Sequence, residues 1–205
     1  MSFISHLPET QRNIVLSSIV LGGFAFICTT LLSLTQSLTH DTIIESEREY
    51  LLKSLNDIIP VDHYDNDLLA SKSQLQDPLL GTQDTVTAFT ATLNGKLVAT
   101  IINSQAPNGY NGTIKLLVGI KADHTLLGVR IVSHKETPGL GDDIDVAKSD
   151  WVRDFDGKSL TNPPPEQWKV KKDGGQFDQF TGATITPRAV VQAVQKTLNY
   201  YSKTH

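Results

Sequence analysis

The run Asp178-Gln179-Phe180-Thr181-Gly182-Ala183-Thr184-Ile185-Thr186-Pro187 puts a threonine hydroxyl, that of Thr184, on a small-residue turn leading into a helix. Glycine at 182 permits backbone angles closed to other residues and close approach of another group. Ala183 adds little bulk beside it. Thr186 has the type of an N-cap and Pro187 that of a first helical residue, ahead of the helical spacing of Ala189, Val190, Ala193 and Val194. A helix N-terminus presents unpaired N–H groups and partial positive charge, which favours a phosphate. A hydroxyl two residues before such a cap is placed to carry a phosphate ester. The same residues also describe an ordinary capped turn, or a proline-directed phosphorylation site at Thr186.

A second chemically suggestive run is His134-Lys135-Glu136-Thr137-Pro138-Gly139-Leu140-Gly141-Asp142. Pro138, Gly139 and Gly141 let backbone come close to a flat ligand, Leu140 can cover an apolar face, and Glu136 and Thr137 offer polar groups. A plain Pro-Gly hairpin loop uses the same residues. A third run, Gly109-Tyr110-Asn111-Gly112-Thr113-Ile114, reads as a turn entering a strand. Asp178 is a turn acceptor by type. Arg188 and Lys169 are possible phosphate partners or solvated surface cations. His134 stands without a second histidine at metal spacing, so no metal is assigned.

The run Asp-x-x-Thr-Gly-Ala-Thr over 178–184 resembles the flavinylation motif of the FMN-binding domain family. The loop over 134–142 resembles that family's His-x-Glu-Thr-Pro-Gly-Leu-Gly, and 109–112 its Gly-Tyr-x-Gly turn. The resemblance covers about residues 84–200. It implies covalent FMN, with Thr184 as the phosphoester acceptor, Thr181, Gly182, Ala183 and Thr186 around the phosphate, and Glu136, Thr137, Pro138, Gly139, Leu140 and Gly141 around the isoalloxazine ring. It further implies a separate magnesium-dependent flavin transferase that moves the FMN moiety from FAD, with Asp178 in its recognition motif or in the turn. Length and flanks resemble the G subunits of Rnf-type ion-translocating electron transport complexes, which exchange electrons between ferredoxin and NAD. The related C subunit of a sodium-pumping NADH:quinone reductase is the nearest alternative. The role implied is an electron relay without turnover of its own, with the other membrane and peripheral subunits as partners. A cofactor-free assembly subunit and a small-molecule binding module share the same anchor and strands.

The elements that must position these residues begin with an anchor. Asn13 to Thr39 holds no charged residue, longer than the roughly 20 residues that cross a hydrocarbon core. The flank Leu38-Thr39-His40-Asp41 offers no small-x-small cleavage site, so the segment reads as an uncleaved signal anchor. Arg12 before it, against Arg48 and Lys53 farther out among acids, leans towards a cytoplasmic N-terminus. The resemblance places the domain in the periplasm of a bacterial inner-membrane protein. One helix without an ionisable residue is no ion path. The net charge of −4 and the absence of a basic patch argue against nucleic acid. The single cysteine, Cys28, excludes an intrachain disulfide or a multi-cysteine iron–sulfur site.

Residues 42–59 read as a stalk helix, with Ile43, Tyr50, Leu51, Leu55 and Ile58 on one side and Glu45, Glu47, Arg48, Glu49 and Lys53 on the other, closed by Pro60. Residues 61–84 read as loop. Strands are expected at 86–93 and 96–103 around Asn94-Gly95, and at 113–121 and 126–133. A short helix is expected at 144–155, a strand at 168–171, and a last helix from about Pro187 to Tyr201. The fold class is α+β: a single N-terminal transmembrane helix followed by an antiparallel sheet domain packed with helices. Its parts are an anchor at 1–40, a juxtamembrane helix and loop at 41–83, and the FMN-binding domain at 84–205.

Overall fold

The computed structural model describes residues 8–205. Residues 1–7, which open the expected anchor, lie outside the described residues, as do the side chains at 9, 41, 42, 44 and 47, including Glu47 of the expected charged face. Helix α1 runs Glu9–Asn56, so residues 9–40 of the expected anchor and most of the stalk share one helix. Within it Thr10–His40, 31 residues, is long and apolar enough to cross a membrane. At 1.5 Å per residue that stretch is about 46 Å long, against a hydrocarbon core of about 30 Å. Its apolar side chains, among them Val20, Phe24, Phe26 and Leu32, are exposed. The hydroxyls of Thr30, Thr35 and Thr39 donate to the carbonyls of Phe26, Leu31 and Thr35 at 2.8–2.9 Å, and Thr29 donates to Ala25 in the same way. Polar groups in an apolar medium must find such internal partners.

The chain forms two compact units, dividing between Tyr50 and Leu51. In the second, five strands make an antiparallel meander in the order β1-β2-β3-β4-β5: Lys72–Leu75, Val86–Leu93, Lys96–Ala106, Ile114–Lys121 and Leu126–Ser133. Asn94 and Gly95, at φ 51° and 73°, close the β2–β3 hairpin, the backbone that a two-residue type I′ turn demands. Strand β1 lies within the expected loop. Its side chains are mostly exposed and it pairs Lys72 with Phe89 through Leu75 with Val86. An edge strand reading Lys-Ser-Gln-Leu carries no apolar alternation, so only its partner reveals it.

Alternation along β2, β3 and β4 sends Val86, Ala88, Ile102, Leu116, Val118 and Ile120 to one face and Phe89, Ala91, Ala99, Ile101 and Leu117 to the other. Helix α2, Ile185–Thr204, covers the first face with Val190, Val191, Val194 and Leu198. Leu55, Ile58, Ile59 and Leu68 cover the second. The sheet is therefore buried on both sides, and Leu55, Ile58, Ile59 and Leu68 belong to the core. Of the expected stalk stripe, Leu55 and Ile58 are buried while Ile43 and Tyr50 are exposed. Arg130, paired across from Leu117 on the second face, donates from Nη2 to the Asp57 carbonyl at 2.6 Å. Burial lowers its affinity for its proton, with Asp156 opposing that shift.

Between β5 and α2 regular structure is sparse. The expected helix at 144–155 is two 3-10 turns, Asp142–Ile144 and Trp151–Phe155. Side chains intervene: the Asp145 carboxylate accepts from Ala147 N at 3.0 Å and Ser149 Oγ from Trp151 N at 3.2 Å, offering the backbone an alternative to a helix. The expected strand at 168–171 reduces to one bridge between Val170 and Phe177. Aromatic packing holds this region: Phe155 stacks on Phe177 at 4.7 Å and Trp168 lies 5.2 Å from Phe177.

Gly119 on β4 leaves room for Ile58, since a Cβ there would sit 2.3 Å from Ile58 Cγ2. Gly119→Ala is therefore expected to destabilise the domain by about 1–3 kcal/mol. In a double-mutant cycle with Ile58→Ala, the two losses should be clearly less than additive in denaturant unfolding.

Candidate functional site

The loop after β5 is a closed structure built by its own backbone and one acid. The Thr137 carbonyl accepts from Leu140 N and Gly141 N, both at 3.1 Å. Gly139 sits at φ 76°, and its N–H donates to Asp142 Oδ1 at 2.6 Å. His134 Nδ1 accepts from Glu136 N at 3.1 Å, which places the neutral ring's proton on Nε2. One ring nitrogen of His134 is thereby engaged within its own loop.

The 109–112 turn is fastened to this loop. Tyr110 N and Asn111 N donate to Glu136 Oε2 and Oε1 at 3.3 and 3.0 Å, and Asn111 Nδ2 donates to Thr137 Oγ1 at 3.1 Å. Glu136 is buried, so its carboxylate needs such donors.

The third segment approaches through Phe180–Ala183, a tight turn with Ala183 N bonded to the Phe180 carbonyl at 3.2 Å and Gly182 at φ 81°. That φ suits glycine at the third position of a type II turn. Trp151 holds the approach: its Nε1 donates to the Asp178 carbonyl at 2.8 Å and its ring lies 5.2 Å from Phe180. Helix α2 then begins at Ile185 with Thr184 as N-cap. The sequence places the cap at Thr186, and the structure moves it two residues earlier. Proline is tolerated at Pro187 because first-turn residues have no carbonyl one turn back to bond. Thr186 is buried inside the first turn, and its hydroxyl donates to Glu136 Oε2. Thr184 makes no side-chain capping bond, at φ −76° and ψ −27°. Its hydroxyl is uncommitted.

The three segments enclose a cavity of about 320 Å³, lined by Tyr110, Glu136, Thr137, Leu140, Gly141, Gly182, Ala183, Thr184, Ile185 and Thr186. Small-molecule sites run from about 300 Å³ upward. Thr181, Pro138, Gly139 and Asp178, expected at the site, are not among the lining residues. Tyr110 and Ile185 are, and sequence reasoning assigns neither to the site. Their signal is structural: Tyr110, Leu140 and Ile185 are large apolar side chains left 65%, 44% and 45% exposed around one cavity.

The expected cations lie elsewhere. Arg188 makes a two-point bond to Asp173, Nε to Oδ2 at 2.7 Å and Nη2 to Oδ1 at 2.8 Å. Lys169 is exposed and not part of the lining, and Asp178 pairs with Lys171 at 2.6 Å. The lining contains no basic side chain. What it offers an anion is the first-turn N–H groups of Ile185 and Thr186, since Pro187 has none.

The FMN-binding domain family matches residues 109–199, and the RnfG N-terminal region matches residues 1–58. The G subunit of the ion-translocating oxidoreductase complex of Vibrio atlanticus (strain LGP32) is 49% identical over 187 residues, 91% of this chain and 90% of the relative. The G subunit of the same complex from Pseudomonas aeruginosa (strain UCBPP-PA14) is 49% identical over 193 residues, 94% and 90% of the two chains. That of Shewanella loihica (strain ATCC BAA-1088 / PV-4) is 47% identical over 193 residues, 94% and 91%.

The Arg188 guanidinium, bonded to Asp173, holds that carboxyl below its ordinary value. A depressed carboxylate contributes stability above its unfolded value and loses it as pH falls through the folded one. The Arg188–Asp173 contribution is thus expected to persist at neutral pH and vanish in acid. Carbon-detected NMR titration should show Asp173 shifting upward towards the ordinary value in Arg188→Gln, with a smaller difference at high salt.

Proposed function

Because the chain belongs to the family of ion-translocating oxidoreductase complex G subunits, we propose that it is a membrane-anchored flavoprotein subunit carrying FMN in phosphoester linkage to Thr184. In this reading it relays electrons between redox centres of a complex that couples ferredoxin–NAD electron transfer to ion movement, with no turnover of its own. The observation that carries it is the uncommitted Thr184 hydroxyl in the wall of a cavity that the three motif segments form together.

The residues present fit the group. The cavity has the volume of a small-molecule site, apolar side chains at Tyr110, Leu140 and Ile185 for a flat ring, and first-turn amides beside Thr184 for a phosphate. Tyr110 and Leu140 would cover the ring. Thr137, Gly141, Gly182 and Ala183 would bring polar groups and backbone to its edge and chain. Thr181, Pro138 and Gly139 shape the two turns from outside the cavity, and exposed Asp178 suits recognition by a flavin transferase. Bound FMN supplies one- and two-electron chemistry, and the chain supplies binding, orientation and exclusion of water.

Attachment needs an outside activator, because a threonine hydroxyl is a weak nucleophile. The Thr184 Oγ1–phosphorus bond forms as the bond from the same phosphorus to AMP breaks, FAD being the donor. The hydroxyl proton passes to a base of the transferase. The anchor is Thr10–His40 within an inner membrane. Arg12 on its N-terminal flank supports a cytoplasmic N-terminus and a periplasmic FMN domain, with the remaining subunits as partners.

Expression with an active flavin transferase is expected to add about 440 Da, the mass of FMN less water, to the intact protein and give in-gel fluorescence after denaturation. Thr184→Ala should lose both, and Thr184→Ser should keep them. Stoichiometric covalent flavin on the Thr184→Ala protein would refute the assignment.

A further inference from the structure

We propose that the buried bond between Glu136 and Thr186 is the positioning element of this site, a clasp that joins its three segments and aims Thr184 into the cavity. The proposal rests on the reading that Thr184 carries FMN. It assigns to Glu136 and Thr186, which also line the cavity, a role beyond contact with the ring or the phosphate.

The resemblance gives Glu136 to the ring and Thr186 to the phosphate. The geometry assigns both to each other. Glu136 and Thr186 are only 5% and 1% exposed. Glu136 Oε1 accepts from Asn111 N at 3.0 Å, and Oε2 accepts from Tyr110 N at 3.3 Å and from the Thr186 hydroxyl. One carboxylate on the β5 loop thus collects donors from the turn before β4 and from the first turn of α2. Burying a carboxylate is costly unless such charge-assisted bonds compensate it, so the three segments are held together as a set.

The surrounding glycines make room for the clasp itself. A Cβ on Gly109 would sit 2.9 Å from Glu136 Oε1, besides 2.3 Å from the Gly112 carbonyl. A Cβ on Gly141 would sit 2.9 Å from Thr186 Oγ1 and 3.0 Å from Glu136 Oε2. Gly141, which the sequence reading gives to close approach of a ligand, lines the cavity, and the clasp fills the place of a Cβ there. Thr186 stands two residues after Thr184 on the first turn of α2. Fixing its hydroxyl on the loop therefore fixes the rotation of that turn, and with it the directions of Thr184 and Ile185.

The test uses the full-length chain in detergent, with and without coexpressed flavin transferase, as wild type, Thr186→Val, Thr186→Ser and Glu136→Gln. In flavin-free protein, Glu136→Gln is expected to speed hydrogen exchange at the Tyr110 and Asn111 amides about tenfold. In flavinylated protein, Thr186→Val and Glu136→Gln should lower the anisotropy of the attached flavin, while Thr186→Ser restores the wild-type value. Loss of FMN transfer in Thr186→Val with retention in Thr186→Ser would support the clasp equally. Wild-type anisotropy in both esterified variants would overturn it. So would global unfolding of both variants in a thermal melt, which would make the pair ordinary core. Absence of flavin on wild-type Thr184 alongside the faster exchange would instead refute the cofactor reading and leave the clasp standing.

Discussion

A carboxylate removed from water must be satisfied from all sides, and in this domain Glu136 imposes that condition on three distant parts of the chain. Its donors come from residues 110, 111 and 186. Two glycines stand where any side chain would collide with the arrangement. The cavity is a consequence of this convergence. Its walls include the joined groups, Glu136 and Thr186, together with the neighbouring residues of the three segments.

The supporting layers explain why the junction stays put. The sheet is buried on both faces, which is unusual for an antiparallel meander and more typical of parallel sheets. Strands β4 and β5 deliver the turn and the loop from the same end of that rigid slab. Helix α2 lies across one face, its first turn at the loop, and the buried Ser104–Thr197 hydroxyl contact of 2.7 Å ties the helix to β3 farther along. The aromatic set around Phe155, Trp168 and Phe177 replaces regular structure between β5 and α2. It holds the Asp178–Thr184 run through Trp151 and Phe180.

Much of this was legible in the sequence, and the failures have physical causes. Asn94-Gly95 announced its hairpin because a two-residue turn with two positive φ angles leaves few alternatives. The α+β class followed from period-2 apolar strands ending in one amphipathic helix. Strand β1 was hidden because an edge strand of polar residues derives its conformation from its neighbour. The start of α2 was misplaced because Thr186-Pro187 mimics a cap and first residue, while the partner that claims Thr186, Glu136, lies fifty positions away. The motif segments were readable as segments. Their meeting, and the entry of Tyr110 and Ile185 into the cavity wall, are products of tertiary folding that no local pattern encodes. Arg188 marks the same limit in reverse: its sequence allows a phosphate partner or a surface cation, and only the fold brings Asp173 to it.

The free hydroxyl at the head of α2 has a consequence for how this protein can change over time. A cap that accepts no backbone N–H forgoes about 0.5–2 kcal/mol that a bonded cap residue would give. Aspartate at 184 would suit the helix better by placing a negative charge at its positive end. It would also remove the hydroxyl. A more stable helix start and the hydroxyl that the proposed linkage needs would therefore pull residue 184 in opposite directions. The double-faced core is what lets the protein hold the less stable choice.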